Sequence, residues 1–259
     1  MIGVDEVKDY ATLFGTPVES VLKDHAISHV LHGLSQVISD SEKASVVFYG
    51  GTALNRTLLH DFRLSEDIDL IVESYPEWIE TMKSVVQDYM RNEFPDAHWE
   101  RESTYDGVWT VHLVCTQNTE VQVQCVKPRA RWEYYKPHLV TAPVKLRYSD
   151  LPESAEFMVP NSDAFVAMKL CAWIDRYTPR DLADLAELAN HGYITRSALD
   201  LARDVYGIPF TTSTLGRTFP PRVEREWESA LTHQAAAMRT MQESYDKLIA
   251  AVQKIEDEQ

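Results

Sequence analysis

The sequence predicts a mixed α/β (α+β) fold for residues 1–150, followed by a helical domain in residues 151–259. In the first part, short β-branched runs alternate with stretches of helical apolar spacing, a pattern typical of a sheet flanked by helices. From Pro152 onward the composition shifts towards Ala and Leu, which favour helices. At 259 residues the chain is long enough to bury the cores of two modest domains.

The first predicted helix covers residues 17–38. Its apolar residues recur near helical spacing, and Pro17 suits the start of a helix. His25, His29 and His32 share this spacing, but they lack the His-Glu-x-x-His pattern of a zinc site. We therefore expect them to line one face of a surface helix.

A strand, a glycine turn and the start of a helix follow in that order. Val46–Tyr49 is an apolar strand candidate, Gly50-Gly51 permits a close approach of a ligand, and a helix begins at Thr52. The first N–H groups of a helix have no partner within it, and the helix dipole places positive charge there. This corner is therefore a predicted phosphate-binding site.

Two carboxylates stand on the next predicted strand, Asp67–Val72. Strand alternation places Asp67 and Asp69 on one face, where neighbouring like charges demand a counter-ion. Mg²⁺ (or Mn²⁺) combines few protein carboxylates with water and substrate phosphates, so the pair predicts a cation that carries a nucleoside triphosphate. The alternative is a pair of solvated aspartates at a strand end, which the short Asp-Ile-Asp motif favours when taken alone.

A helix and three strands complete the first predicted domain. The helix runs from Pro76 to about Phe94. The strands lie near residues 97–104, 108–115 and 120–126. The pair Asp106-Gly107 favours a hairpin turn between the first two strands.

The second predicted domain begins with two capped helices. Ser162-Asp163 caps the first, which carries Lys169 and Arg176 two turns apart. The second has Thr178 at its N-cap, with Asp181 as an acid of the capping-box type. Asp184 has no comparable structural explanation.

The end of the chain is predicted to pack rather than to bind. A loop with three prolines covers residues 207–222, and a helix with an apolar stripe runs from Arg222 to Ile255. This helix is expected to cover a core.

A longer pattern joins the glycine corner to the acidic strand. It reads Gly50-Gly51-Thr52-Ala53-Leu54, then Arg63-x-Ser65-x-Asp67-Ile68-Asp69-Leu70. It resembles the AbiEii/MenT-like nucleotidyltransferase toxins of the polymerase-β-type superfamily. Lys169 and the run Arg180-Asp181-Leu182-Ala183-Asp184-Leu185 match the same family, so the resemblance covers residues 20–190.

The resemblance implies a nucleotidyltransferase fold, a mixed sheet flanked by helices, and the transfer of a nucleotide from an NTP to an acceptor. It implies RNA as the acceptor, at the 3′ end of tRNA, and a growth-inhibiting toxin that a cognate antitoxin protein neutralises. Two alternatives stay open. In the first, the same site uses a protein hydroxyl or a small molecule as the acceptor, or acts as a phosphotransferase. In the second, the chain is a catalytically silent nucleotide-binding interaction protein.

The same resemblance assigns the site residues. Asp67 and Asp69 are the metal ligands, Lys169 contacts the triphosphate, and Asp184 completes the catalytic set. The nucleotide-binding residues are Gly50, Gly51, Thr52, Arg63 and Ser65. Many polymerase-β-type enzymes carry a third carboxylate on a later strand, but this chain has glutamines in the corresponding run 121–126. The expected metal site therefore has two strand carboxylates.

Charge is distributed unevenly along the chain. The net charge of −15 argues against indiscriminate binding of nucleic acid. The segment Lys127–Arg147, however, has six basic residues against one acidic residue, so it carries +5 and the remainder carries −20. Interleaved aromatic residues favour a local contact to RNA through Lys127, Arg129 and Arg131. An ordinary solvated strand and loop is the alternative.

The location of the protein is predicted from what the sequence lacks. No stretch is long and apolar enough to cross a membrane, and the acidic N-terminus does not resemble a signal peptide. The three cysteines lack metal-ligand spacing and are expected to be reduced core residues. We therefore expect a cytoplasmic protein without a membrane partner.

Overall fold

The computed structural model describes residues 2–38, 45–60, 62–73, 77–216, 220–231 and 239–258. The chain forms two compact units, Met1–Ala130 with Val140–Val159, and Arg131–Leu139 with Pro160–Gln259. The predicted domain boundary near residue 150 stays a prediction.

The first unit contains a seven-stranded mixed sheet and four helices among the described residues. The helices are α1 Val4–Phe14, α2 Val18–Val37, α3 Gly50–Thr57 and α4 Glu77–Met90. The strands are β1 Val46–Tyr49, β2 Asp67–Val72, β3 His98–Tyr105, β4 Val108–Thr116, β5 Thr119–Val126, β6 Leu139–Lys145 and β7 Ser154–Pro160. The predicted mixed sheet flanked by helices is therefore confirmed.

The order of the strands places the acidic strand in the middle of the sheet. The order is β3-β4-β5-β2-β1-β7-β6. β2 runs antiparallel to β1 and parallel to β5, so hydrogen-bonded neighbours fix it on both sides. Asp67 and Asp69 are half-buried, whereas Ile68 and Leu70 between and after them are fully buried. The alternation predicted for this strand is thus present, with both carboxylates on one face.

The first two helices differ from the expectation. α1 has no counterpart among the predicted helices, and it buries Val7 and Phe14. α2 matches the predicted range, with Pro17 as its N-cap, but it is not a surface helix. His25 and His29 are 3% and 5% exposed, so the predicted exposed histidine face is wrong. Helical spacing alone does not show which sides of a helix are covered, and this helix is covered on most sides.

A buried ion network ties α2 to α3 and to the segment after β6. The carboxylate of Asp24 accepts hydrogen bonds from Arg56 Nη2 at 2.8 Å, Arg147 Nη1 at 2.9 Å and the Tyr148 hydroxyl at 2.9 Å. Burial by itself raises the pKa of Asp24, but the two guanidinium groups outweigh it, and the net pKa lies below the ordinary value. Arg147, which belongs to the basic segment of the sequence, is therefore a buried structural residue.

The second unit is helical in its described residues. Its helices are α5 Trp132–Tyr135, α6 Ser162–Arg176, α7 Pro179–Asn190, α8 Arg196–Tyr206, α9 Thr212–Leu215, α10 Arg222–Leu231 and α11 Met241–Asp257. Asn161, rather than Ser162-Asp163, caps α6, because its side chain accepts from the Ala164 N–H at 3.0 Å. The helices from α6 onward agree with the helical composition predicted for residues 151–259. The start of that range is a correction, because Ser154–Pro160 forms β7 of the sheet instead of a helix.

The long helix predicted from Arg222 to Ile255 is interrupted. α10 ends at Leu231, residues 232–238 lie outside the described residues, and α11 begins after Thr240. Thr240 and Glu243 form a capping box, in which each side chain accepts from the backbone N–H of the other residue. The Thr-x-x-Glu sequence is a helix-start signal, which the apolar stripe concealed.

Candidate active site

The predicted site residues of the first unit meet where β1 passes into α3. α3 begins at Gly50, two residues earlier than predicted, directly after β1. Tyr49 on β1 pairs with Asp69 on β2, so the start of the helix lies beside the acidic strand. Among the described residues, no side chain at the N-cap bonds the first N–H groups of α3. The corner is thus built from a helix start and a carboxylate strand.

Gly50 is required for two reasons. Its φ of +79° lies in the left-handed region that L side chains rarely adopt. In addition, a Cβ at this position would overlap Asp69 Oδ2. The carboxylate of Asp69 therefore fills the space that a side chain at position 50 would need. The glycine pair predicts a close approach of a ligand. The structure shows that the carboxylate of Asp69 also requires a glycine at position 50.

Gly51 makes a second close approach, to Arg63 and Ser65. A Cβ at Gly51 would lie 3.0 Å from Arg63 Nη2 and 3.1 Å from Ser65 Oγ. Arg63 is 2% exposed, and its Nη1 donates to the carbonyl of Leu64 at 3.1 Å. A guanidinium, a hydroxyl and the helix start are therefore adjacent. These are the groups that bind phosphate oxygens in proteins.

Thr52 connects the helix to the acidic strand. Its side chain is buried, and its hydroxyl donates to the backbone carbonyl of Asp67. Because a hydroxyl has one proton, a donated hydrogen bond from Thr52 to phosphate requires this bond to break. In this structure, Thr52 positions the first metal-binding candidate.

The strand next to β2 confirms the predicted departure. Gln122 pairs with Asp67, and Gln124 pairs with Asp69, in the parallel register of β2 and β5. An amide oxygen offers a weaker ligand than a carboxylate and cannot serve as a base. One strand further, His112 pairs with Gln122, at about 10 Å from Asp67 by strand spacing. The sequence does not predict His112 as a neighbour of the site. Strand alternation alone does not show which residues of the neighbouring strands lie opposite His112.

The residues of this corner suit a hard divalent cation. Two half-buried carboxylates on one strand face provide oxygen ligands and negative charge. Asp69 occupies the cradle that Gly50 leaves by lacking a Cβ, so its carboxylate has a defined position. The donor set, two acids beside a helix start, fits Mg²⁺ or Mn²⁺ accompanied by phosphate oxygens.

The second unit contains the other two predicted catalytic residues in one cluster. Lys169 Nζ on α6 lies 3.1 Å from Asp181 Oδ1 and 2.7 Å from Asp184 Oδ2, both on α7. Lys169 is 8% exposed, and Asp184 is wholly buried. The expectation that Asp184 has no structural role is therefore wrong, because it pairs with the buried lysine.

Asp181 is the centre of this cluster. It binds Lys169, Arg176 Nε at 2.7 Å and the hydroxyl of Thr178 at 2.5 Å. Thr178 is the N-cap of α7 as predicted, but its hydroxyl donates to Asp181, so the capping-box role of Asp181 is wrong. Burial raises the pKa of Asp181, but the nearby Lys169 and Arg176 outweigh it and hold the net pKa below its ordinary value.

Comparison with known proteins places this chain in a family. The family model "Nucleotidyl transferase AbiEii toxin, Type IV TA system" matches residues 34–254. The chain belongs to the AbiEii nucleotidyltransferase toxin family. It is therefore a nucleotidyltransferase, and its family indicates a nucleotide substrate and an antitoxin partner. The match extends past the range of the recognised motifs and includes most of residues 191–259.

Solved structures show the same fold. MenT4, a nucleotidyltransferase toxin from Mycobacterium tuberculosis H37Rv, is 18% identical with a TM-score of 0.59, covering 97% of this chain and 89% of that chain. JHP933 from Helicobacter pylori is 16% identical with a TM-score of 0.56, covering 90% and 92%. No curated protein matches the chain.

The candidate RNA-binding residues of this AbiEii family member are exposed. Lys127 and Arg129 lie in the first unit, where Arg129 Nη2 pairs with Asp106 Oδ2 at 3.2 Å. Arg131 lies in the second unit, with its guanidinium 6.0 Å from the ring centre of Tyr206. Their exposure is compatible with a polar partner.

No helix among the described residues combines the length and apolar character that a membrane span requires.

Proposed function

We propose that this nucleotidyltransferase uses Mg²⁺ or Mn²⁺ at Asp67 and Asp69 to transfer a nucleotide from an NTP to RNA. The observation that carries the proposal is the corner itself. Two carboxylates on one strand face lie beside a helix start, with Asp69 packed against Gly50. Family resemblance extends the proposal to the 3′ end of tRNA as the acceptor, in the cytoplasm, with the antitoxin as the inhibitor.

Different residues of the chain would bind the phosphates and position the metal ligands. The N–H groups at Gly50 and Gly51 would donate to phosphate oxygens, and Arg63 and Ser65 lie close enough to Gly51 to extend that contact. Thr52 would hold Asp67 in place through its backbone carbonyl. The divalent cation, when bound by the two aspartates, supplies charge neutralisation for the triphosphate.

The proposed reaction is a displacement at the α-phosphorus. An acceptor hydroxyl oxygen forms the new P–O bond and releases its proton to solvent, and the bond between the α-phosphorus and the departing pyrophosphate breaks. Correct placement of the two reacting groups is one contribution of the protein, because it converts a bimolecular encounter into a local step. Gln122 and Gln124 beside the aspartates supply no base, so no general base is assigned to β5.

The roles of Lys169 and Asp184 rest on the family resemblance. Their mutual pairing in the second unit is compatible with a lysine that is held in position by acids. We propose that Lys169 contributes to triphosphate binding and that Asp184 contributes through Lys169. A loss of activity in Asp184→Asn with the fold retained would support this assignment.

One experiment tests the proposed function. The purified protein is incubated with Mg²⁺, each labelled NTP and total RNA. Asp69→Asn serves as the inactive variant, and Glu77→Gln, an exposed acid at the start of α4, serves as the control for loss of one charge. We expect label in RNA with the wild type and the control, and none with Asp69→Asn while circular dichroism shows the native fold.

Other outcomes contradict parts of the proposal. Label in protein or in small molecules would replace RNA as the acceptor. Full activity of Asp69→Asn would remove the assignment of the metal site.

A further inference from the structure

Four metal-ligating side chains converge in the first unit, outside the proposed active site. His25 and His29 lie on α2, Glu93 lies just after α4, and Asp150 lies in the segment between β6 and β7. One ligand atom from each lies within 4.8 Å of all the others. Three separate parts of the chain therefore contribute to one cluster.

Three of the four ligand atoms are separated by distances close to those in a coordination shell. His25 Nε2 lies 3.0 Å from Asp150 Oδ2 and 3.0 Å from His29 Nε2, and His29 Nε2 lies 3.4 Å from Asp150 Oδ2. Tetrahedral Zn²⁺ with bonds of about 2.0–2.1 Å has ligand-to-ligand edges of about 3.3–3.4 Å. The three atoms thus form a near-equilateral triangle that small movements convert into one face of such a tetrahedron.

The protons of the two imidazoles cannot supply a hydrogen bond for each of the three contacts in this triangle. A contact between two imidazole nitrogens needs one donor and one acceptor, and each Nε2 carries at most one proton. If His25 Nε2 donates its proton to His29 Nε2, neither nitrogen has a proton left to donate to Asp150. If both donate to Asp150, two N–H groups face each other at 3.0 Å. A cation at the centre attracts all three atoms at once.

The surroundings suit a structural cation. The rings of His25 and His29 pack on Phe94 at 5.9 and 5.7 Å between ring centres, and His25 also packs on Tyr148. Asp150 is exposed as a residue, and 18% of its side chain is accessible, so the cluster lies close to the surface and a cation can reach it from solvent.

We propose that His25, His29 and Asp150 bind a structural Zn²⁺ ion, with Glu93 as the fourth ligand. Two imidazole nitrogens select Zn²⁺ over Mg²⁺, which prefers oxygen ligands. The donor set therefore distinguishes this site from the pair Asp67 and Asp69. The zinc site joins α2, the end of α4 and the β6–β7 segment.

The location gives the zinc site a structural consequence. His25 directly follows Asp24, and Asp150 lies close after Arg147 and Tyr148, which both bind Asp24. A cation that holds His25 to Asp150 therefore fixes the two segments that form the buried ion network. Arg56 in the same network belongs to α3, the helix whose start forms the proposed active site.

The test uses the full chain and metal ions alone. The protein is stripped with a chelator, and binding of Zn²⁺ is measured by competition with a chromogenic chelator, together with the visible spectrum of the Co²⁺ form. The variants are His29→Gln and Asp150→Asn. The control is His32→Gln, since His32 lies on the same helix but contacts Tyr89 at 2.7 Å instead of the cluster.

We expect one tightly bound Zn²⁺ in the wild type and in His32→Gln, and a tetrahedral Co²⁺ spectrum. The affinity should fall by at least about 100-fold in His29→Gln and in Asp150→Asn, since loss of a ligand costs more than loss of an outer partner. Chelation should lower the melting temperature of the wild type and leave that of His29→Gln unchanged.

Three results would overturn the zinc site. Unchanged affinity in both cluster variants would do so, and so would loss of the bound Zn²⁺ in Asp69→Asn, which would place the ion at the proposed active site. A wild-type protein that binds no Zn²⁺ and shows no effect of chelation would leave the cluster as a hydrogen-bonded histidine pair.

Discussion

At the start of α3, the carboxylate of Asp69 lies where a Cβ at Gly50 would be. This contact links the backbone conformation to the proposed metal site. A side chain at position 50 meets two separate penalties, a φ of +79° and a clash with Asp69 Oδ2. The first penalty concerns the stability of the fold. The second displaces a carboxylate that we assign to the metal, so it concerns activity.

The two penalties can be separated with a second glycine. Gly50→Ala should lose nearly all nucleotidyl transfer, because Asp69 must move, and should lose about 1–3 kcal/mol of stability from backbone strain. Gly107→Ala is the matched control, since Gly107 has a φ of +73° and a Cβ there would meet no described atom within 4 Å. It should lose comparable stability and keep its activity. Transfer assays and chemical denaturation provide the measurements, and equal activities of the two variants would contradict the assignment.

At the scale of elements, α6 and α7 are joined by a buried charge cluster rather than by the predicted helix cap. Asp181 is 1% exposed and binds two cations and a hydroxyl. Removing one partner from such a cluster leaves buried charge without compensation, which costs more than the loss of a cap. We therefore expect the loss of the Asp181 carboxylate to lower the free energy of unfolding by more than the loss of a capping residue does.

Asp181→Asn should reduce the free energy of unfolding at pH 7 by about 3 kcal/mol. The folded pKa of Asp181 lies below its unfolded value of about 3.9. The ionised group therefore contributes stability above about pH 4, and this contribution is lost as the pH falls through the folded pKa. Urea denaturation of wild type and variant from pH 7 to pH 3 should show a difference that shrinks at acidic pH.

The control for this variant is a solvent-exposed ion pair. Asp200→Asn removes the partner of Arg203, whose Nη1 lies 2.7 Å from Asp200 Oδ1 at the surface of α8. It should cost less than about 1 kcal/mol. A similar small effect in Asp181→Asn, or a difference that does not depend on pH, would show that the cluster does not stabilise the packing of α6 and α7.

For the whole molecule, local sequence patterns predicted the sheet, most helices and the acidic corner, because period and glycine placement are local signals. Contacts between distant residues were not predictable in the same way. Arg147 belongs to a basic run in sequence and to Asp24 in space. His25 meets Asp150 across 125 positions, and helical spacing carries no information on such a partner. The site assignments of individual residues stay predictions.

Charge is the property of the whole molecule that bears on RNA. The net charge is −15, so binding to a polyanion requires a local positive surface. Arg147 is buried and does not belong to that surface, whereas Lys127, Arg129 and Arg131 are exposed. Arg129 pairs with the exposed Asp106, and such surface pairs are weak enough for a phosphate to replace the carboxylate.

If these three residues bind RNA phosphates, their joint replacement by alanine should weaken binding of unfractionated tRNA and flatten its dependence on salt. The slope of log K against log salt should fall by about 0.7–0.9 for each phosphate that the variant no longer neutralises. The control replaces Lys8, Lys247 and Lys254, which are exposed and carry the same total charge. It should keep the wild-type slope, because direct phosphate binding rather than net charge sets the number of ions released. Fluorescence anisotropy over a series of KCl concentrations measures both slopes, and equal slopes in the two triple variants would assign Lys127, Arg129 and Arg131 to the solvated surface.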